Sequence, residues 1–336
     1  MNTKEGKWYR SLAVLALVAA GILTTIASGG GGGGGGGGDD GATNGGPTLA
    51  ITEANGEAVS SAVMAGVTDM FDFTEATEGP LFEPTAGTLP VLQKIGGMPG
   101  AYSEAPVEGT EPCAARGTIA ITGELADPLT LTVGDTLTAV FDNCDDQDGF
   151  LINGELGLTV TALNGDPFSD VFLLTLDLVL TDLTITADSE TITGNGDLTY
   201  TLDTLGFPAI LTVLSGVELS IAADGETIIF RDFDQTLEVD LGTVPTSFTA
   251  AANGTLENAT LGGSVDYETV VTIQASGEDN PPYTGEIRIT GAESSSVRIV
   301  IVSEQVVRLE IDVNGDGVVD EFIDTTWAEL LGETGG

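Results

Sequence analysis

The sequence predicts an all-β protein, mainly antiparallel, with one N-terminal helix packed on the sheet. From residue 116 onward apolar and polar residues alternate, Asn-Gly and Asp-Gly pairs recur, and no helical periodicity interrupts them. Alternation is typical of strands with one buried face, and the lack of intervening helices argues against parallel βαβ folds. We therefore expect a large meander of about 12 to 14 strands, forming a sandwich, a curved sheet or an open barrel.

Composition divides the chain into six segments. They are a signal peptide (1–28), a Gly-rich flexible linker (29–48), an amphipathic helix (49–73), a Pro/Gly-rich connector (74–115), the antiparallel β domain (116–331) and a tail (332–336).

The first segment has the features of a secretory signal peptide. Three basic residues, Lys4, Lys7 and Arg10, precede an apolar run from Ser11 to Ala27 that ends in small residues. An uncleaved anchor is the alternative, although the run is slightly short for a membrane span of about 20 residues. We expect an extracytoplasmic protein of a Gram-negative bacterium, in the periplasm, at the cell surface or secreted. No stable membrane insertion is expected after signal cleavage.

The next two segments are predicted to be a flexible tether and a helix. Ten consecutive glycines, Gly29–Gly38, predict a flexible tether, because glycine loses the most backbone freedom on ordering. The helix is predicted over 49–73, with Asn55 as its N-cap. Its apolar face consists of Val59, Val63, Val67 and Met70, spaced as one side of a helix requires.

Three stretches show the strand alternation best, and their expected buried sets lie on single faces. These sets are Phe172, Leu174, Leu176, Leu178 and Leu180; Val265, Tyr267, Thr269, Val271, Ile273 and Ala275; and Val307, Leu309 and Ile311. Hairpin turns are predicted where both residues accept positive φ. These pairs are Asn164-Gly165, Asn195-Gly196, Asp224-Gly225, Asn253-Gly254, Asn314-Gly315 and Asp316-Gly317.

The charge balance restricts the partners. The chain has 52 acidic and 9 basic residues, a formal net charge of −43. Residues 1–28 hold three of the basic residues and one acidic residue, so the remainder has 6 basic and 51 acidic residues. Such a surface repels phosphate, which excludes nucleic acid as a partner. It favours divalent cations, or it serves solubility alone; no protein partner is indicated.

Histidine is absent, and the chain has two cysteines. The lack of histidine excludes Ser-His-Asp and Cys-His catalysis and His-ligated zinc. In an exported protein Cys113 and Cys144 are expected to form a disulfide, worth about 3–4 kcal/mol in the chain-entropy model. A free catalytic thiol is the alternative, and it would lack an imidazole to activate it.

One motif, IDVNGDGVVDEFID, resembles the calcium loop of an EF-hand. The predicted ligands are Asp312, Asn314, Asp316, Val318 through its carbonyl, and Asp320. Gly317 supplies the sharp turn, but Ile323 stands where the bidentate Glu is expected. Glu321 or Asp324 could replace that Glu only if the chain leaves the loop by a different path. The alternative to a calcium site is a plain hairpin turn.

Other acidic residues carry weaker hypotheses. Asp142, Asp145, Asp146 and Asp148 surround Cys144 and could bind a cation or form a solvated loop. Glycoside hydrolysis needs two carboxyl groups about 5–10 Å apart, but the abundance of acids gives the sequence no basis for choosing a pair. The two tryptophans, Trp8 and Trp327, offer little aromatic platform for sugars. No catalytic residue is assigned, and a non-enzymatic protein is favoured.

Several stretches resemble a recurring type of uncharacterised exported proteobacterial protein, often a lipoprotein. They are Gly29–Gly38, ITEANGEAV (51–59), FDNC with LINGELGL (141–144 and 151–158), and VRLEIDVNGDGVVDEFIDTTWAEL (307–330). Where the lipoproteins have a lipidated cysteine before the glycines, this chain has IAS followed by Gly29, so thioether lipidation is impossible. The resemblance implies an envelope location and a β architecture, and it brings no activity.

Together these observations predict an exported cell-envelope or secreted β protein, structural or ligand-binding, and stabilised by calcium. One alternative is a carrier that holds a hydrophobic ligand in a β cavity lined by Phe172, Leu174 and Leu176. The other is a carbohydrate-active enzyme that uses paired carboxylates.

Overall fold

The computed structural model describes residues 48–67, 70, 107–113, 115–126, 131–145, 150–167, 169, 171–187, 190–223, 225–277 and 280–331. The predicted signal peptide, the linker up to residue 47, most of the connector and the tail lie outside these residues.

Fourteen strands account for most of the described chain. They are β1 (Val107–Pro112), β2 (Arg116–Glu124), β3 (Thr136–Asp145), β4 (Phe150–Gly165), β5 (Phe172–Ala187), β6 (Glu190–Asp203), β7 (Ala209–Ala223), β8 (Glu226–Asp240), β9 (Ser247–Asn258), β10 (Gly263–Ser276), β11 (Thr284–Thr290), β12 (Ser296–Ser303), β13 (Val306–Asp312) and β14 (Glu321–Thr325). Helix α1 spans 56–67, and α2 (Trp327–Leu330) is a single turn. A 3-10 turn lies at Ala292–Ser294.

All fourteen strands belong to one sheet, and their order in the sheet is their order in the chain. The pairs within β1–β8 and within β10–β14 are antiparallel. The predicted all-β class, the antiparallel meander and the helix near the N-terminus are therefore confirmed. Strand β1 lies inside the segment that the sequence assigned to the connector over 74–115.

The described residues fall into two compact units, which are treated separately. The terminal unit comprises those within Met1–Ala65 and Leu256–Gly336, and the central unit those within Gly66–Thr255. In the described part of the chain, no helix combines the length and the apolar character needed to cross a membrane.

Helix α1 begins seven residues later than the start of the predicted helical segment. The Asn55 carbonyl accepts the first helical bond, from the Val59 N–H, so Asn55 is the N-cap by position. Its side chain instead accepts the Thr52 N–H at 2.7 Å and thereby holds the preceding turn. Val59, Val63 and Met70 are buried as predicted, whereas Val67 is only half-buried. The helix starts late because the residues before it bond to other parts of the terminal unit.

Strand alternation predicts the buried faces well where the register is regular. The apolar sets predicted in β5 and β13 are all buried, with exposures of 0–4%. In β10, Val265, Tyr267 and Ala275 are buried, but Val271 is 46% exposed, which contradicts the prediction. The register with β11 shifts on both sides of Val271, and such irregularities disrupt the alternation locally. Beyond the second shift, Ala275 is on the buried face again.

A line of bulges crosses the central unit from β3 to β6. Asn143 and Asp182 have left-handed backbone conformations, with φ of 50° and 48°. The register shifts beside each of them. A bulge leaves backbone groups without a ladder partner. Here Asn153 Oδ1 accepts the Asn143 N–H at 2.8 Å, and Asn195 Oδ1 accepts the Asp182 N–H at 2.7 Å.

Two glycines allow close approach of neighbouring backbones in this region. Gly154 lies against the bulge at Asp182, and Gly196 lies against β7. A Cβ at Gly154 would lie 2.2 Å from the Asp182 carbonyl oxygen, and one at Gly196 would lie 2.3 Å from the Glu218 carbonyl oxygen. Asn195-Gly196 and Asn253-Gly254 lie inside β6 and β9, so the hairpin turns predicted at these two pairs are wrong. An Asn-Gly pair supplies positive φ to a bulge as readily as to a turn.

The polar faces of the two units differ in the cross-strand pairs that predominate, although the central unit also has the ion pairs Arg116–Asp145 and Arg231–Glu218. In the central unit, threonine hydroxyl groups bond across neighbouring strands. These pairs are Thr175–Thr201 at 3.1 Å, Thr184–Thr193 at 3.0 Å and Thr186–Thr191 at 3.0 Å. In the terminal unit, arginines pair with carboxylates across strands. These pairs are Arg288–Glu268, Arg298–Glu286, Arg298–Glu310 and Arg308–Asp324.

Candidate functional site

The predicted calcium motif forms the loop between β13 and β14 in the terminal unit. We call residues 313–320 the NGDG loop. Strands β13 and β14 pair from Val307 opposite Thr325 to Ile311 opposite Glu321, so the loop closes one end of a hairpin. The Asp320 N–H donates to the Ile311 carbonyl at 2.7 Å and seals the base of the loop.

The predicted side-chain ligands organise the loop through its own backbone. Asp312 is 7% exposed. Its Oδ1 accepts the Gly315 N–H at 2.8 Å, and its Oδ2 accepts the Gly317 N–H at 2.7 Å. Both glycines have left-handed φ, 71° and 81°. The loop therefore wraps around the Asp312 carboxylate.

Each of the other predicted side-chain ligands also accepts a backbone N–H of the loop, but only one. Asn314 Oδ1 accepts the Asp316 N–H at 2.9 Å, and Asp316 Oδ1 accepts the Val318 N–H at 2.8 Å. Asp320 Oδ2 accepts the Val313 N–H at 2.9 Å. Each of these contacts leaves the oxygen a second lone pair.

The structure distinguishes Glu321 from Asp324, the two candidates for the missing ligand at position 12 of the loop. Asp324 is held by Arg308, with Nε–Oδ1 2.7 Å and Nη2–Oδ2 3.2 Å. These hydrogen bonds hold the pKa of Asp324 below its usual value and that of Arg308 above it. Glu321 lies at the start of β14, next to Asp320, and its buried Oε2 has no hydrogen-bond partner. Glu321 is therefore the better candidate.

Among the described residues, no three Asp, Glu or Cys side chains converge in a geometry that could hold a metal ion. In the NGDG loop the side-chain oxygens point at backbone N–H groups. Calcium would need the loop to bring its remaining lone pairs, together with the Val318 carbonyl, toward one point.

The cysteines pair as predicted, with Cα atoms 5.4 Å apart. Cys113 follows β1 and Cys144 lies in β3, so the disulfide links two strands that flank β2. Of the acidic cluster around Cys144, Asp142 and Asp145 are described, while Asp146 and Asp148 lie outside the described residues. Arg116 Nε lies 3.4 Å from Asp145 Oδ2. Asp145 is thus paired with Arg116 of the same chain, and the pair needs no bound cation to balance its charge.

The side chains proposed to line a carrier cavity are closely packed. Leu174 and Leu176 have no exposed surface, and Phe172 is 2% exposed. A void wide enough for a ligand would leave surface on the side chains around it. These three residues therefore line no such void, and they give the carrier hypothesis no support.

The enzyme hypothesis needs a carboxyl group that stays protonated near neutral pH. Among the described residues, three carboxyl groups have clearly shifted pKa values, and in each case hydrogen bonds lower the pKa. Hydrogen bonds from Arg298 lower the pKa of Glu286, those from Arg308 lower that of Asp324, and the Thr326 backbone lowers that of Glu329. A lowered pKa is the opposite of what a general acid needs, so these three groups give the enzyme hypothesis no support.

One feature beside the loop was missed by sequence reasoning. The turn between β11 and β12 has two consecutive non-glycine residues in left-handed conformations, Glu293 (φ 56°) and Ser294 (φ 63°). The AESS stretch carries no Gly or Asn that would signal positive φ, so no local pattern could have revealed it.

No match to this chain is found among protein-family models, curated proteins or solved structures.

Proposed function

We propose that this chain is an exported, non-enzymatic β protein of the cell envelope or the medium, and that its NGDG loop binds calcium and is stabilised by it. The observation that carries the proposal is the wrapping of the loop around the buried Asp312 carboxylate, with glycines in left-handed conformations at 315 and 317. This wrapping supports calcium because it holds oxygens from alternate residues in one short segment.

The chemistry of the loop favours calcium over transition metals. Carboxylate, amide and carbonyl oxygens are hard ligands, and calcium takes six to eight of them. The net charge of −43 raises the local concentration of cations. With Ile323 at position 12, the expected affinity is that of extracellular calcium modules, with Kd about 10⁻⁴–10⁻³ M. Glu321 is the candidate that supplies a further carboxylate.

The disulfide supports the export part of the proposal, since disulfides persist in oxidising compartments and are rare in the cytosol. Two buried half-cystines in the central unit are consistent with a protein that matures outside the cytoplasm. Mass spectrometry of the mature chain from its host tests this point, and a chain that retains Met1 would contradict signal cleavage.

Thermal unfolding with and without calcium tests the loop. At about twenty times Kd, a ligand that binds only the folded state adds roughly 2 kcal/mol, so CaCl₂ should raise Tm and excess chelator should reverse the rise. Magnesium at the same concentration should have a smaller effect, because it dehydrates reluctantly and demands octahedral geometry.

Asp316→Asn is the informative variant. The Asn keeps an oxygen for the Val318 N–H but removes one ligand charge, so the calcium-dependent rise in Tm should shrink while Tm in chelator stays similar. Glu304→Gln is the matched control, since Glu304 is exposed in the turn between β12 and β13 and its replacement removes the same charge. Unchanged melting of the unaltered protein on adding calcium would refute calcium binding.

A further inference from the structure

The turn between β11 and β12, Gly291–Ser295, contacts two separate parts of the terminal unit. We call it the left-handed turn, after Glu293 and Ser294. On one side it receives residues 48–51, the N-terminal arm, which immediately precedes the turn into α1. On the other side it touches the NGDG loop.

Backbone bonds hold the N-terminal arm at two places. Thr48 forms a parallel bridge with Ser264, and the Leu49 N–H donates to the Ser264 carbonyl at 2.9 Å. The Ala292 N–H of the left-handed turn donates to the Leu49 carbonyl at 2.8 Å. The arm is therefore bonded to the turn as well as to the start of β10.

Ser295 completes the attachment. Its hydroxyl accepts the Ile51 N–H at 2.8 Å and donates to the Ala292 carbonyl at 2.7 Å. Ser295 is 1% exposed, and Ile51 is fully buried. A Cβ at Gly291 would lie 2.2 Å from the Leu49 carbonyl oxygen, so the arm lies directly against the turn. The position of the arm thus depends on the backbone conformation of the turn.

Gly315 of the NGDG loop lies close to the backbone of the same turn. A Cβ at Gly315 would lie 2.8 Å from the Glu293 carbonyl oxygen and 2.8 Å from Ser294 Cβ. Asp312 pairs with Ser296, the first residue of β12, which brings loop and turn to the same end of the sheet. The Gly315 N–H is itself bonded to Asp312. The loop backbone at Gly315 therefore lies directly against the backbone of Glu293 and Ser294.

We infer that the left-handed turn is a latch through which the NGDG loop controls how firmly the N-terminal arm is held. A calcium ion that tightens the loop would tighten the arm through Gly315, Glu293 and Ala292. This regulation rests on the proposed calcium binding, whereas the mechanical contact between loop, turn and arm does not.

Hydrogen exchange at the Ile51 and Ala292 amides measures the latch, and two glycines of one loop provide a matched pair of variants. Gly315→Ala and Gly317→Ala both place a side chain at left-handed φ, but a Cβ at Gly317 meets no atom within 4 Å. We expect Gly315→Ala to speed exchange at both amides by about tenfold or more and Gly317→Ala to change it by less than about twofold, because only the first displaces the turn. Equal effects of the two variants would overturn the latch.

Calcium separates the inference from the proposed function. In the unaltered protein, calcium should slow exchange at the Gly315 and Gly317 amides and also at Ile51 and Ala292. Slower exchange in the loop alone would uphold calcium binding and overturn its regulation of the arm. If calcium slows exchange at none of these amides, the proposed function and the regulation both fail, and the comparison of the two glycine variants still decides the mechanical contact.

Discussion

The central unit and the terminal unit differ in the contacts that predominate between their strands. In the central unit β4–β8 run for 14–16 residues and carry bulges with glycines opposite them. In the terminal unit β11–β14 run for 5–8 residues and are joined by arginine–carboxylate pairs. The central unit also has two arginine–carboxylate pairs, Arg116–Asp145 and Arg231–Glu218, so the difference is one of degree. The comparison teaches that backbone geometry can predominate in one part of a continuous meander and side-chain charge in another.

If backbone geometry maintains the central unit, Gly154→Ala should have the largest effect. Gly154 has φ 100°, and a Cβ there would lie 2.2 Å from the Asp182 carbonyl oxygen and 2.8 Å from Leu183 Cα, both in the backbone of β5. We expect the free energy of unfolding to fall by about 3 kcal/mol or more, from the left-handed strain and the displaced bulge together. Urea unfolding followed by circular dichroism measures it.

Gly157 in the same strand is the control for that substitution. Its added Cβ would lie 3.5 Å from Val179 Cβ, an ordinary contact, and its φ is not left-handed. Gly157→Ala should change the free energy of unfolding by less than about 1 kcal/mol. Similar losses at both positions would show that any added methyl group weakens β4, whether or not it opposes a bulge.

In the terminal unit, Arg298→Met should have the next largest effect. Arg298 donates to Glu286 at 2.8 and 2.7 Å and to Glu310 at 3.0 Å, and these carboxylate side chains are only 11% and 17% exposed. Removing the guanidinium leaves two partly buried negative charges near each other, which should cost about 2 kcal/mol. Urea unfolding gives the loss, and hydrogen exchange in β11–β13 locates it.

Arg288→Met is the matched control. Its contact with Glu268 is 3.4 Å long, and the two side chains are 43% and 58% exposed. Exposed pairs contribute about 0–1 kcal/mol. A loss as large as that of Arg298→Met would mean that the number of cations matters in this acidic chain, and not the burial of the pair.

The smallest expected effect is a greater acid sensitivity of the terminal unit. Hydrogen bonds from Arg298 lower the pKa of Glu286 below its ordinary value of 4.5, and those from Arg308 lower the pKa of Asp324 below 3.8. A carboxyl group with a lowered pKa contributes stability that is fully present above its ordinary value and is lost as the pH falls through the folded-state value. Protection of β11–β14 should therefore weaken below about pH 4.

Glu286→Gln should flatten this dependence, because Gln has no proton to take up. Hydrogen exchange between pH 3 and 6, corrected for the intrinsic effect of pH, gives the comparison. An equal loss of protection at the threonine pairs of the central unit would indicate a general effect of charge.

The sequence predicts the fold best where the information is local. Alternation identifies the buried face of β13, and that of β5 up to Leu180, because the bulge of β5 lies beyond the predicted set, at Asp182. It fails at Val271 because the register shift depends on the partner strand β11. Asn195-Gly196 was placed in a hairpin turn, since its tolerance of positive φ is equally typical of a bulge and only the strand beside it decides.

The candidate site shows the same division. The NGDG loop could be predicted because its ligands lie within nine residues of one another. Glu321 and Asp324 could not be told apart from the sequence, because the choice rests on Arg308 lying opposite Asp324. The helix predicted from residue 49 wrongly includes residues 49–51 of the N-terminal arm, because the bonds of these residues go to Ser264, Ala292 and Ser295, all more than 200 residues away in sequence.

The identity between sheet order and chain order has a consequence for the time course of assembly. When a chain is delivered N-terminus first, each new strand finds its neighbour already in place. The Cys113–Cys144 bond can close once three strands have arrived. The N-terminal arm is the exception, because Ile51 waits for Ser295, 244 residues later. The first described residues are therefore among the last to take their final positions, and their docking reports that the strands before Ser295 have been delivered.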